Sequence, residues 1–160
     1  MPQKLGIVVE RQILNSPWQD HRWLPVSVIP ATGAGKEWRL LVENEKAKSF
    51  HAGDHELELH KSDTESYKLN LSTNPPRLFI ILRPQSDGEF PQIVLLTANP
   101  YEAQSYTVGG DEVVEGVTMP PEIAAWVADF VERFHVDEPF VKRRLRRNDD
   151  KTGGGCEREG

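Results

Sequence analysis

The chain has 160 residues, of which 38% are hydrophobic and 28% charged, a balance that excludes disorder throughout and is long enough to bury a core without staples. Its formal net charge of −6, from 19 Lys and Arg against 25 Asp and Glu, argues against nucleic-acid binding over a broad face. The lone Cys156 excludes an intrachain disulfide, and the run Leu5-Gly6-Ile7-Val8-Val9, cut by Glu10-Arg11, is too short for a signal-peptide core or a membrane span. A cytoplasmic protein with no transmembrane segment is the expectation.

Period-2 patterning dominates the first three quarters. A β-branched run over 5–14 predicts a first strand, turned by Asn15-Ser16-Pro17, and 22–29 reads as the returning strand with Leu24, Val26 and Val28 on one face. Pro25 cannot donate a ladder hydrogen bond, so that strand belongs at an edge or a bulge. A glycine-containing loop at 31–37 leads to a short strand at 38–43. Residues 56–60 and 67–73 alternate cleanly and, with 61–66 between them, predict a hairpin with one wet face on each strand. The apolar runs 78–82 and 93–96 predict central strands covered on both sides, joined by a hairpin at Asp87-Gly88. A further hairpin is expected from 106–108 and 113–117 around Gly109-Gly110.

The period then changes. Pro120-Pro121-Glu122 places proline and an acid where a helix begins, and Ile123, Trp126, Val127, Phe130, Val131 and Phe134 form one apolar stripe. The fold class is mainly β (α+β). About seven antiparallel strands, as a barrel or a strongly bent sheet, are packed by one C-terminal helix over about 121–135. This order matches a pleckstrin-homology-like barrel, and a helix lying across an open sheet fits it equally. Residues 1–136 then form one β-rich domain, and 137–160 a basic, then glycine-rich, partly disordered tail.

Few residues point to chemistry. Thr32-Gly33-Ala34-Gly35-Lys36 looks like part of a phosphate loop, but Pro30 and Glu37 stand where that motif needs glycine and a hydroxyl, and strand rather than helix follows. His51, Asp54, His55, Glu56, Glu58 and His60 are the densest group of metal-ligand types. Their spacing matches no ligand motif, and they read as a solvated strand face preceded by a polar loop. No nucleophile signature is present, so no catalytic residue, metal or cofactor is assigned. Two amphipathic segments remain. Pro17-Trp18-Gln19-Asp20-His21-Arg22-Trp23-Leu24-Pro25 combines aromatic anchors with polar handles, and Lys142, Arg143, Arg144, Arg146 and Arg147 set five cations beside Phe140, Val141 and Leu145.

These residues carry a resemblance. Gly6-Ile7-Val8-Val9-Glu10-Arg11, the tryptophan segment through Val26, and Glu138-Pro139-Phe140-Val141-Lys142-Arg143-Arg144 resemble a proteobacterial domain-of-unknown-function family, number 3305, over about residues 5–147. The resemblance implies a small cytoplasmic protein, often encoded beside formate dehydrogenase and other molybdenum-enzyme genes, with no established activity. Some members are labelled as molybdopterin-guanine dinucleotide synthesis proteins. This chain lacks the glycine-rich nucleotide loop and strand–helix alternation that such an activity needs.

The expectation is a non-enzymatic accessory protein that binds a protein partner, a molybdenum-dependent formate dehydrogenase or its maturation machinery. Trp18, Asp20, His21, Arg22 and Trp23 would supply the anchored contact, and Lys142, Arg143, Arg144, Arg146 and Arg147 the charge steering. Two alternatives stand beside it: a domain binding a small ligand or phosphate-bearing cofactor, and a metal-dependent enzyme using the 51–60 region.

Overall fold

Seven antiparallel strands form in a computed structural model, which describes residues 2–15, 17, 21–33, 35–86 and 89–136. Strands β1 (Gln3–Ile13), β2 (His21–Pro30), β3 (Arg39–Glu43) and β4 (Ala47–Leu57) form one sheet in the order β2-β1-β4-β3. Strands β5 (Arg77–Arg83), β6 (Gln92–Thr97) and β7 (Val113–Thr118) form a second, in the order β6-β5-β7. Three helices complete the fold: α1 (Thr64–Leu71), α2 (Pro100–Ser105) and α3 (Pro121–Phe134). The mainly β class stands, but the strands do not close into a barrel.

The core lies between the sheets. Leu5, Ile7 and Val9 of β1 meet Leu78, Ile80 and Leu82 of β5, with Val28, Leu57, Leu96 and Val117 around them. Ile123 and Val127 of α3 and Tyr67 of α1 close it. Each such large apolar side chain contributes roughly 1.5–3 kcal/mol on burial, so the apolar stripe of α3 docks as its spacing predicts, except for Phe134 at its end, which stays exposed. None of the helices is long and apolar enough to cross a membrane.

Pro25 does sit on an edge strand and beside a bulge. Val8 pairs with Ser27 but Val9 pairs with Pro25, leaving Val26 as the extra residue. The bulge resets the alternation. Pro25 and Val28 are buried on one face and Val26 is exposed, so Leu24, Val26 and Val28 do not share a face as their spacing suggested.

Other expectations need correction. The segment 67–73 is not a strand, and 61–66 is not a hairpin turn: Thr64–Leu71 is a helix that buries Thr64, Tyr67 and Asn70 on one side. Asn70 makes this possible. Its amide donates to the Arg77 and Ala98 carbonyls at 2.7 and 2.8 Å and accepts from the Arg77 N–H at 3.0 Å, so a polar side chain is paid for inside the core.

Residues 106–108 form no strand; they follow α2. Asn99 caps that helix by accepting from the Tyr101 and Glu102 N–H groups, with proline in its first turn. The chain therefore has three helices rather than one among the described residues. Strand β6 is an edge rather than a central strand. Strand β4 begins at Ala47, well before the expected 56–60, and ends at Leu57.

Candidate functional site

Three neighbouring strands build a pocket at the end of the larger sheet. Arg11 on β1 stands directly opposite Trp23 on β2 and directly opposite Lys48 on β4. Directly opposed residues share a face, so Trp23, Arg11 and Lys48 form one row. Val9 pairs with Phe50 in the next row, and Ile13 with His21 beyond the first. The β5–β6 connection brings Glu89 and Phe90 over this face. The resulting cavity has a volume of about 280 Å³ and is lined by Arg11, His21, Trp23, Lys48, Phe50, Glu89 and Phe90.

Its wall is a cluster of four rings. Trp23 lies 5.6 Å from Trp38, 5.6 Å from Phe50 and 5.8 Å from Phe90, between ring centres. Trp38 stacks on Phe90 at 4.7 Å and 12°, and Phe50 meets Phe90 at 5.1 Å. Trp23, Trp38 and Phe50 back onto the core, whereas Phe90 remains 44% exposed. Edge-to-face and stacked pairs each contribute about 0.5–1.5 kcal/mol beyond their area, which makes the wall rigid. The Arg11 guanidinium lies 6.0 Å from the centre of the Trp23 ring, and the His21 ring meets Trp23 edge-on at 6.1 Å.

Strand alternation divides the residues expected to act together. His21 and Trp23 face the pocket. Arg22 points to the opposite face, where its Nε donates to Gln12 Oε1 at 2.8 Å and Gln12 donates to Glu10 Oε1 at 2.7 Å. Trp18, Asp20, Lys142, Arg143, Arg144, Arg146 and Arg147 lie outside the described residues. Arg11, Lys48, Trp38, Phe50, Glu89 and Phe90 were not singled out from the sequence. The alternation of Lys48, Phe50 and Ala52 with Ser49 and His51 was the available signal for the strand that carries two of them.

The 51–60 region is not a polar loop followed by a wet strand. His51 and Asp54 are buried on β4, at 1% and 6% exposure. Asp54 clamps the β2–β3 loop: its carboxylate accepts from the Thr32 N–H at 3.1 Å and the Gly33 N–H at 2.7 Å, while its own N–H donates to the Gly35 carbonyl at 2.6 Å. The Thr32 and Gly33 N–H groups of the false phosphate loop thus already bind an anion, and it is the protein's own. Gly53, at φ +95°, passes directly beneath the Lys36 backbone.

His51 Nδ1 accepts from the Gly53 N–H at 3.1 Å, so its proton sits on Nε2. That Nε2 lies 3.5 Å from Asp54 Oδ1, short of a hydrogen bond. Glu56, Glu58 and His60 are exposed, and Glu58 and His60 fall beyond the end of β4. Among the described residues no three His, Cys, Asp or Glu side chains converge as a metal set.

A second groove, of about 570 Å³, runs between the β2–β3 loop and the free edge of β6, with Lys4, Lys36, His55 and Glu56 along it. Burial pushes the His55 imidazole below its ordinary pKa, with Lys36 adding to the effect, against the pull of the Ala52 carbonyl, 3.1 Å from Nε2.

A family model described as a protein of unknown function (DUF3305) matches residues 4–144. No curated protein and no solved structure matches the chain.

Proposed function

Because the chain belongs to the DUF3305 family, we propose that it is a non-enzymatic accessory protein that docks a protein partner through the aromatic pocket. The partner we propose is a molybdenum-dependent formate dehydrogenase or its maturation machinery, in keeping with the family resemblance. The observation that carries the reading is the four-ring wall, exposed to solvent at Phe90, in a pocket that Arg11 and Lys48 also line. Clustered aromatic residues with arginine at hand are the composition of interface hot spots, where a few buried anchors supply most of the binding energy.

The size of the pocket also favours a protein partner. At about 280 Å³ it falls just below the roughly 300–1,000 Å³ of small-molecule sites, room for an anchoring side chain rather than a dinucleotide. The cations at 142–147 would add charge steering. Phe90→Ala and Trp23→Ala should each reduce recovery of formate dehydrogenase in a pull-down by tenfold or more, given hot-spot costs of about 2 kcal/mol. Serine at 142, 143, 144, 146 and 147 should reduce it mainly at low salt. Full recovery with folded Phe90→Ala would sink the reading.

A small phosphate-bearing ligand is the second reading, supported by the 570 Å³ groove with Lys4 and Lys36 on its walls. A thermal shift with nucleotides or pterins that Lys36→Gln abolishes would favour it.

A further inference from the structure

Arg11 and Lys48 are placed against each other. They are direct cross-strand partners of β1 and β4, on the face that carries Trp23. Side chains in that relation start about 4.5–5.5 Å apart at Cβ, and like charges there destabilise the pair. The surroundings relieve this only in part. Lys48 Nζ reaches Glu43 at 3.4 Å, but both side chains are about half exposed, and such a surface pair is worth little. Among the described residues Arg11 has no carboxylate partner; its guanidinium rests over Trp23. A like-charge pair over an aromatic wall is stable in company with an anion, which both cations can bind at once.

We propose that this pocket recognises a carboxylate carried beside an aromatic side chain in an acidic peptide segment. The inference rests on the partner-docking reading above and names what the partner presents. The carboxylate sits between the Arg11 guanidinium and the Lys48 ammonium. The neighbouring aromatic side chain packs on Trp23, Phe50 and Phe90, within a volume that suits one such group. Glu89 is the one acid among the seven lining residues; it opposes a second negative charge and limits the site to one carboxylate at a time.

The test is fluorescence anisotropy on the full chain with two dye-labelled peptides, acetyl-Glu-Glu-Phe-Glu-amide and its counterpart with glutamine for every glutamate. The acidic peptide should bind at least about tenfold more tightly, the scale set by charge-assisted hydrogen bonds. Arg11→Gln and Lys48→Gln should each weaken it about tenfold, and Lys48→Arg should keep most of the affinity. Glu89→Gln should tighten it, a change of sign that a merely structural residue would not give. Lys48→Gln should also leave the melting temperature of the free protein unchanged or raised, because it removes the repulsion.

Equal binding of the two peptides would overturn the proposal. So would full competition by inorganic phosphate at low millimolar concentration, which would mark a free-anion site instead. Recovery of the partner that depends on Trp23 and Phe90 but not on Arg11 or Lys48 would leave the docking reading standing and remove this inference. Tight acidic-peptide binding with recovery indifferent to Trp23 and Phe90 would do the reverse.

Discussion

Gly6→Ala tests the packing beneath the β2–β3 loop, because two effects of opposite sign meet there. Gly6 has ordinary strand dihedrals, so the bare backbone effect of alanine is to stabilise by about 0.4–1 kcal/mol. A Cβ at this position, however, would lie 2.5 Å from His51 Nε2 and 3.0 Å from Ile29 Cγ1. His51 is the end of a fixed arrangement: its Nδ1 holds the Gly53 N–H, and Gly53 is wedged under Lys36. The ring is buried, and moving it away breaks that hydrogen bond. Overpacking costs about 1–3 kcal/mol, and releasing the Gly53 N–H adds about 1 kcal/mol.

The clash outweighs the backbone gain, and the net expectation is a loss of about 2 kcal/mol. For a chain of this size that lowers the melting temperature by roughly 4–8 °C. Urea unfolding should show the same loss as a reduced midpoint with an unchanged slope. The double variant Gly6→Ala with His51→Ser should be less destabilised than the sum of the two single variants, since the serine leaves the space that the new methyl needs. A Gly6→Ala protein within about 0.5 kcal/mol of the parent would refute the packing argument.

The Asp54 clamp and the buried tyrosine give two further expectations. Asp54→Ala should destabilise by about 1–3 kcal/mol and speed amide hydrogen exchange at Thr32 and Gly33, whose N–H groups lose their acceptor; unchanged exchange there would refute the clamp. Tyr67, whose hydroxyl accepts from the His60 N–H at 2.9 Å, has its pKa pushed up to about 12, chiefly by burial. The unfolded chain ionises near pH 10 and the folded one later, so stability present below pH 10 is lost as pH rises from about 10 to 12. Tyr67→Phe should flatten that part of the stability–pH curve, read by urea midpoints at each pH.

Several elements were legible in the residues because their determinants are local. The apolar run of β1, the proline that put β2 at an edge, the short strand β3, the apolar core of β5 and the stripe of α3 all emerge from the positions they occupy. Helix α1 was misread because Tyr67, Leu69 and Leu71 alternate as a strand would. The helical set, Thr64, Tyr67 and Asn70, contains two polar side chains, and the burial of Asn70 makes sense only once Arg77 and Ala98 supply its partners. Helix α2 carried a readable cap in Asn99-Pro100, but six residues are too few for a periodic signal.

The tryptophan segment shows where local reading ends. That Trp23 and its neighbours combine anchor and handle follows from residue identity alone. Which of them act together does not. Strand alternation sends Arg22 to one face and His21 and Trp23 to the other, and cross-strand register adds Arg11 and Lys48, which no sequence spacing links to them. Phe50 and Phe90 complete the wall from β4 and from a loop of the second sheet. Hydrophobic period and capping chemistry act over a few residues and are written in the chain. Register, bulges and the meeting of two sheets are long-range choices, made by whichever pairing buries the most apolar surface without orphaning polar groups. The pocket exists only at that level.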